Sequence, residues 1–222
     1  MFDQLFRDRV EAGRQLGAEL NRRYGLRPDA LVLALPRGGV PVGFEVAEAL
    51  GAELDVFIVR KLGVPGQEEL AMGAIASGGV RVLNRDAIRY ASIPDRVIDA
   101  VAKTEQKELE RREKSYRGIR PPLVVAGKTI FVVDDGLATG STMRAAVQAL
   151  RNMNAREVIV AVPVAAKETC LEFRTIADDI ICLRTPSPFQ AVGLWYDDFA
   201  QTTDEEVHAL LDRASKTIRA AS

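Results

Sequence analysis

The chain alternates short, nearly unbroken apolar runs with longer stretches in which apolar residues recur every three or four positions. Runs of the first kind stand at residues 30–35, 54–59, 130–133, 158–162 and 179–183. Segments this short, without a regular polar alternate, predict strands buried on both faces, as a parallel sheet covered by helices requires. Helical periodicity falls at residues 2–24, where Leu5, Phe6, Val10, Ala12, Gly13, Leu16 and Leu20 form a stripe, and again at 42–50, 143–152, 165–175 and 204–218. The alternation predicts an α/β fold: a central, mostly parallel sheet with helices on both faces.

Three segments interrupt that rhythm. Residues 71–76 and 80–83 flank Ser77-Gly78-Gly79 as a hairpin would, after a stretch at 62–69 rich in Gly, Pro and acids. From Asp95 the insertion at 85–117 is strongly charged, with apolar positions at Val97, Ile98, Val101 and Leu109. It reads as a long exposed helix, either a solvated insertion or a face for a partner subunit in a homodimer. Residues 186–199 gather four aromatics, including the only Trp, around two prolines. The plan is one domain over 1–222, with a core at about 28–184, the helical insertion at about 85–117 and an irregular segment at about 185–200.

Composition narrows the function. A hydrophobic content of 47% suffices for a full core, and a net charge of −1 with interspersed acids and bases gives no basic field for nucleic acid or an anionic membrane. Small-molecule chemistry is favoured. Cys170 and Cys182 lack metal-type spacing and read as inert core thiols in a reducing compartment. The first ten residues carry charges throughout and no apolar run approaches membrane length, so a cytoplasmic location is expected. His208, alone in the last helical stretch, reads as structural.

The chemistry gathers where the run at 130–133 ends in Asp134-Asp135 and the chain turns through Gly136-Leu137-Ala138-Thr139-Gly140-Ser141-Thr142 into a helix. Open α/β sheets bind ligands at the carboxyl ends of their strands. Gly140 allows close backbone approach, Thr139, Ser141 and Thr142 offer hydroxyls, and a helix N-terminus adds unpaired N–H groups. Each charge-assisted hydrogen bond to an anion contributes roughly 1.5–3 kcal/mol, so three or four would hold a phosphate. The adjacent carboxylates would repel that phosphate and suit neighbouring hydroxyls instead. A phosphate beside a vicinal diol describes a ribose 5-phosphate. A Walker loop does not fit, because Gly136 to Gly140 is one residue short and Ser141 stands where Lys is needed. No G-x-G-x-x-G follows a strand either. Pro36-Arg37-Gly38-Gly39 closes the run at 30–35 and, on its residues alone, is equally a structural turn or an anion loop. Arg60-Lys61 places two more cations after the run at 54–59.

The segment 130–142 resembles the phosphoribosyl pyrophosphate (PRPP) signature of the type I phosphoribosyltransferases, a likeness that extends loosely over most of the chain. The resemblance implies that Asp134 and Asp135 hold the ribose 2- and 3-hydroxyls, and that Gly136, Ala138, Thr139, Gly140, Ser141 and Thr142 belong to the PRPP loop. It makes Arg37, Gly38 and Gly39 the pyrophosphate loop, with Arg60 and Lys61 as further PRPP contacts and the hairpin as a flexible catalytic loop that excludes water. It makes residues 185–200 the hood over the base, with Phe189, Trp195 or Tyr196 as the stacking residue and Asp197 as the acid near Mg²⁺ or its waters.

The implied activity, of the kind used in nucleotide salvage, moves the 5-phosphoribosyl group from PRPP to a nitrogenous acceptor and releases pyrophosphate. Asp135, Arg37 and Lys61 are the expected catalytic residues, Mg²⁺ the cofactor and a nucleobase the acceptor. Two departures bear on the acceptor. The 6-oxopurine enzymes carry an Asp where this chain has Ala138, and a base-selecting Lys where it has Leu183 and Arg184. A PRPP-sensing regulator that has lost turnover is the alternative, and no helix-turn-helix or basic appendage makes it a DNA-binding one. A second alternative is transfer to an acceptor other than a base, such as an amine.

Overall fold

The computed structural model describes residues 5–221, with side chains for 5–217. Its elements, in order, are α1 (Arg9–Tyr24), β1 (Leu31–Ala34), α2 (Gly39–Leu50), β2 (Glu53–Val56), β3 (Val59–Val64), β4 (Gln67–Ala76), β5 (Val80–Leu83), α3 (Arg85–Tyr90) and α4 (Asp95–Arg117). There follow β6 (Thr129–Val133), α5 (Ser141–Asn152), β7 (Glu157–Val164), α6 (Lys167–Phe173), β8 (Asp179–Arg184) and α7 (Asp204–Ala221), with short 3₁₀ turns at Ser77–Gly79 and Val192–Trp195.

Five strands form an all-parallel sheet in the order β2-β1-β6-β7-β8, and β3-β4-β5 form a separate antiparallel sheet. Alternate residues serve opposite faces. Val32, Ala34, Phe131, Val133, Ile159 and Ala161 join the core under α1, α2 and α7. Leu31, Leu33, Ile130, Val132, Val158 and Val160 join the core under α5 and α6. Both sets are essentially inaccessible to water, so the strands read as continuous apolar runs rather than alternating ones.

The topology fixes where a ligand can sit. From β1 the chain moves outward to β2, and from β6 it moves the other way to β7 and β8. The loops leaving β1 and β6 therefore diverge from adjacent strands, the switch point at which open α/β sheets form a crevice. Ala34 lies opposite Val133, so the two loops start level.

Two boundaries in particular differ from the sequence reading. The first helix begins at Arg9, not at residue 2, because Asp8 Oδ1 accepts from the Glu11 amide at 2.7 Å while Glu11 Oε2 accepts from the Arg7 amide at 2.6 Å, a reciprocal cap. Residues 2–4 of the predicted helix lie outside the described residues. Phe6 instead pairs with the C-terminal segment: its amide donates to the Trp195 carbonyl at 2.9 Å and its carbonyl accepts from the Asp197 amide at 2.8 Å.

The run at 54–59 is two strands. β2 ends at Val56, the Ile58 amide donates to Ser77 Oγ at 2.9 Å, and the chain swings into the second sheet. Both sheets are buried there, so no polar residue marks the change. Arg60 and Lys61 thus lie within β3 and do not crown the parallel sheet.

The charged insertion is not merely solvated. α4 buries Ile98, Ala102, Leu109 and Tyr116, and its Glu105 pairs with Arg60 of β3 at 2.7 Å. At its end Arg117 donates from Nε and Nη2 to Asp55 at 3.1 and 3.0 Å. Tyr116 donates to Asp204 at 2.6 Å, and burial with that carboxylate nearby pushes the phenol up to about 12. The His208 ring rests against Tyr116 at 5.7 Å. Cys170 and Cys182, expected as free thiols, are joined in a disulfide, because α6 returns the chain onto β8 with their Cα atoms 6.7 Å apart. The expectation of a reducing compartment loses that support. No helix among the described residues is long and apolar enough to cross a membrane.

Asp55 and Arg117 have side chains only 6% and 12% exposed. Arg117→Ala, which strands a buried carboxylate, is expected to lower stability by about 3 kcal/mol. Arg117→Leu combined with Asp55→Leu is expected to cost much less, with urea unfolding midpoints as the measurement.

Candidate active site

The site forms where the loops after β1 and β6 meet. β6 is buried over all five residues, and Asp134 and Asp135 follow its last one. The Asp135 amide donates to Asp134 Oδ1 at 2.9 Å, which turns the two carboxylates into one compact group. Leu137 is locked down: its amide donates to the Val164 carbonyl at 2.9 Å, and its carbonyl accepts from the Ala166 amide at 2.9 Å. Thr169 of α6 donates to the Ala138 carbonyl at 2.6 Å. The rigid α6–β7 junction thereby shapes the cup from below.

At the rim Thr139 and Ser141 hydroxyls lie 3.2 Å apart and are exposed. α5 starts at Ser141 with Gly140 as its N-cap at φ 69°, and no side chain caps its first amides. Thr142 is exposed in the same turn. Hydroxyls and helix N–H groups converge on one face, the arrangement that favours an anion.

Gly140 is needed for another reason besides ligand approach. A β-carbon there would come within 2.7 Å of Phe173 Cε2 and 2.9 Å of Thr169 Cγ2, so the cup lies directly on α6. Gly136 is likewise pressed against Val192 of the C-terminal segment.

The loop after β1 reaches the acid pair. A side chain on Gly38 would overlap the Asp135 carboxylate, and one on Gly39 would stand 3.1 Å from Asp134 Oδ1. The Pro36–Arg37 peptide bond is cis. The Arg37 side chain, 36% exposed, has its guanidinium 3.7 Å from Asp204 at the start of α7. The structure thus brings together the backbone of 37–39, Asp134, Asp135 and the cup at 136–142. Arg60 is paired with Glu105 at 2.7 Å. Lys61 lies 3.4 Å from Glu69 across the hairpin of the second sheet.

Residues 185–200 cover one side of the acids. Tyr196 is buried: its hydroxyl donates to the Asp135 carbonyl at 2.6 Å and its ring packs between Phe6 at 5.5 Å and Phe199 at 5.0 Å. Rather than offering a free face to a base, it braces the acid pair. Phe189 and Trp195 are partly buried against the same small cluster. Asp197 is exposed. Arg184, which stands near the family's base-selecting Lys, stacks on Phe6 at 3.6 Å and reaches Gln15 at 3.4 Å.

Arg9 is a site residue that the sequence reading did not single out. It donates to Asp135 Oδ2 at 2.9 Å, and its position continues the buried stripe of Ala12, Gly13, Leu16 and Leu20. A cation on a buried stripe needs a counter-charge, and that was the signal available.

Burial holds the Asp134 carboxyl well above the usual carboxylate range, and the neighbouring Asp135 charge adds to it. Burial raises Asp135 as well, against the pull of Arg9. Two adjacent carboxylates with one cation are poised to accept hydrogen bonds from neutral donors such as a diol. Among the described residues no three Asp, Glu, His or Cys side chains converge as a metal-binding group.

Over residues 2–198 the chain matches the model of the phosphoribosyl transferase domain, and it belongs to that family. A protein of Mycobacterium tuberculosis strain H37Rv, whose name assigns it provisionally as a phosphoribosyl transferase, is 48% identical over 213 residues, 96% of this chain and 48% of that protein. The chain therefore spans about half the length of the curated relatives it first matches. The crystal structure of TT1426 from Thermus thermophilus superposes with a TM-score of 0.83 at 42% identity, covering 94% of this chain and 98% of that one. The bifunctional protein PyrR of Chloroflexus aurantiacus is 30% identical over 135 residues, 60% of this chain and 66% of that protein.

Gly140→Ala is expected to destabilise the ligand-free chain by about 1–3 kcal/mol, from its left-handed backbone and the Phe173 contact. Thermal unfolding should show Gly140→Ala with Phe173→Leu costing less than the two summed. For Asp134 the folded chain holds its proton more tightly than the unfolded chain, so stability is lost as pH rises from about 3.9 through the raised folded value. Asp134→Asn is then expected to raise the melting temperature near neutral pH, with the gain shrinking toward about pH 4.

Proposed function

We propose that this chain transfers the 5-phosphoribosyl group of PRPP to a nitrogen nucleophile, a nucleobase, with release of pyrophosphate. The observation that carries the reading is the meeting of three parts at one switch point: the 37–39 loop, the Asp134–Asp135 pair and the hydroxyl-lined turn before α5. Their spacing suits a sugar held at both ends. The cup takes the 5-phosphate, and the acids accept from the 2- and 3-hydroxyls. The N–H groups of Arg37 and Gly38 would meet the leaving diphosphate, the Gly39 amide being held by the Leu35 carbonyl at 3.1 Å, with the Arg37 guanidinium leaving Asp204 to join them.

The reaction breaks the bond between C1 and the diphosphate oxygen and forms one between C1 and the acceptor nitrogen. The electron pair leaves with pyrophosphate, and positive charge develops on the ribose. Asp135, beside the ring, favours that charge, while Arg37 and the loop amides, with Lys61 brought in by the hairpin, favour the departing anion. Gripping the phosphate and diol at a distance from C1 directs binding energy to orientation of the reacting bond.

Mg²⁺, when bound, neutralises further charge on the diphosphate. A Mg²⁺ site commonly needs only one or two protein carboxylates with substrate phosphates completing the shell. Asp197, exposed in the covering segment, is the carboxylate proposed to take a place in that shell. Ala138, and the engagement of Arg184 by the buried Phe6 ring, support an acceptor other than a 6-oxopurine.

The test is turnover with PRPP, Mg²⁺ and a panel of bases, read as pyrophosphate and nucleotide. Formation of both is expected for at least one base, and Asp134→Asn with Asp135→Asn should weaken PRPP by about 100-fold or more. Tight PRPP binding with no pyrophosphate from any acceptor would favour the sensing regulator instead.

A further inference from the structure

Arg9 makes three separate contacts, all around the acid pair. Nε donates to Asp135 Oδ2 at 2.9 Å, Nη1 donates to the Ala200 carbonyl at 2.7 Å, and the guanidinium lies 3.8 Å over the Phe199 ring. The two charged side chains are 12% and 16% exposed, so this is a mostly buried ion pair rather than a surface one. The ring of Phe199 in turn packs on Tyr196, whose hydroxyl holds the Asp135 carbonyl. One guanidinium therefore joins the start of α1, the segment covering the site and the second acid.

The bonds also decide which oxygens remain. Asp134 Oδ1 is taken by the Asp135 amide and Asp135 Oδ2 by Arg9. Each carboxylate keeps one oxygen outside these bonds, and two such oxygens on adjacent residues match two vicinal hydroxyls. Among the described residues Arg9 is the cation paired with the two acids, so its loss would leave the buried Asp135 carboxylate without its bonded counter-charge.

From this geometry we infer that Arg9 is a positioning residue for ribose recognition: it supplies the counter-charge of Asp135, fixes which of its oxygens meets the diol, and ties that orientation to the placement of residues 196–200 beside the acids. The inference rests on the PRPP reading of the site and extends it to a residue outside the signature.

The test is calorimetric binding of PRPP and, separately, of inorganic pyrophosphate, which lacks the diol. Arg9→Gln is expected to weaken PRPP by about tenfold or more, and Arg9→Lys to recover part of the loss. Pyrophosphate affinity should stay within about twofold, and in an Asp135→Asn background Arg9→Gln should cost no further PRPP affinity. Phe199→Leu, which keeps the ion pair but removes its stacking surface, should cost less than Arg9→Gln. Equal losses for PRPP and pyrophosphate, or additive losses with Asp135→Asn, would overturn the inference and leave the PRPP reading standing. The same holds if Phe199→Leu costs as much as Arg9→Gln. If the unaltered chain fails to bind PRPP at all, both are overturned.

Discussion

Ala34 lies opposite Val133 in the parallel pairing of β1 with β6, and most of the site is a consequence of that register. It sets the turn after β1 level with the acids after β6, so that Gly38 and Gly39 come up against the Asp135 and Asp134 carboxylates. A shift of one residue would exchange the faces of every side chain on the strand, burying the wrong set and moving the loops apart. The apolar runs that hold the register are thus also what holds the acids and the glycine loop together. Strands covered on both faces are well suited to this, since neither can slide without exposing core residues.

The acid pair works against the fold that carries it. Two carboxylates at the end of a buried strand are costly to ionise, and the surroundings offset this only in part through the Asp135 amide and Arg9. Sites kept ready for a ligand commonly hold such unresolved charge, and the rest of the molecule supplies the stability they lack. Here that support is visible: the cup sits on Phe173 and Thr169, Leu137 is bonded to the β7–α6 junction, and Tyr196 braces the Asp135 carbonyl. The 23-residue helix α4 adds a second layer, tying the antiparallel sheet to β2 and α7 through Glu105, Arg117 and Tyr116.

What the sequence disclosed was what local pattern encodes. Strands at 130–133, 158–162 and 179–183, the hairpin about Ser77-Gly78-Gly79 and the order of helices emerged because apolar period and glycine chemistry act over a few residues. The signature 130–142 was legible for the same reason. Other features depend on distant partners. Nothing near residue 58 marks the change of sheet, because Ile58 is fixed by Ser77 nineteen positions on. The joining of Cys170 to Cys182 needed the return of α6 onto β8. Tyr196, one of three expected stacking residues, is buried with its hydroxyl on the Asp135 carbonyl 61 positions away, and Arg9 lies 126 positions from the acid it holds. The Asp8–Glu11 cap, by contrast, was local and readable, and would have placed the start of α1 correctly.

A structure of the chain with PRPP bound tests the arrangement most directly. The ribose hydroxyls should lie on Asp134 and Asp135, with Arg9 still on Asp135 Oδ2, the 5-phosphate at Thr139 to Thr142 and the diphosphate against the amides of Arg37 and Gly38. PRPP found elsewhere, or bound with its diol turned away from the two acids, would contradict the account.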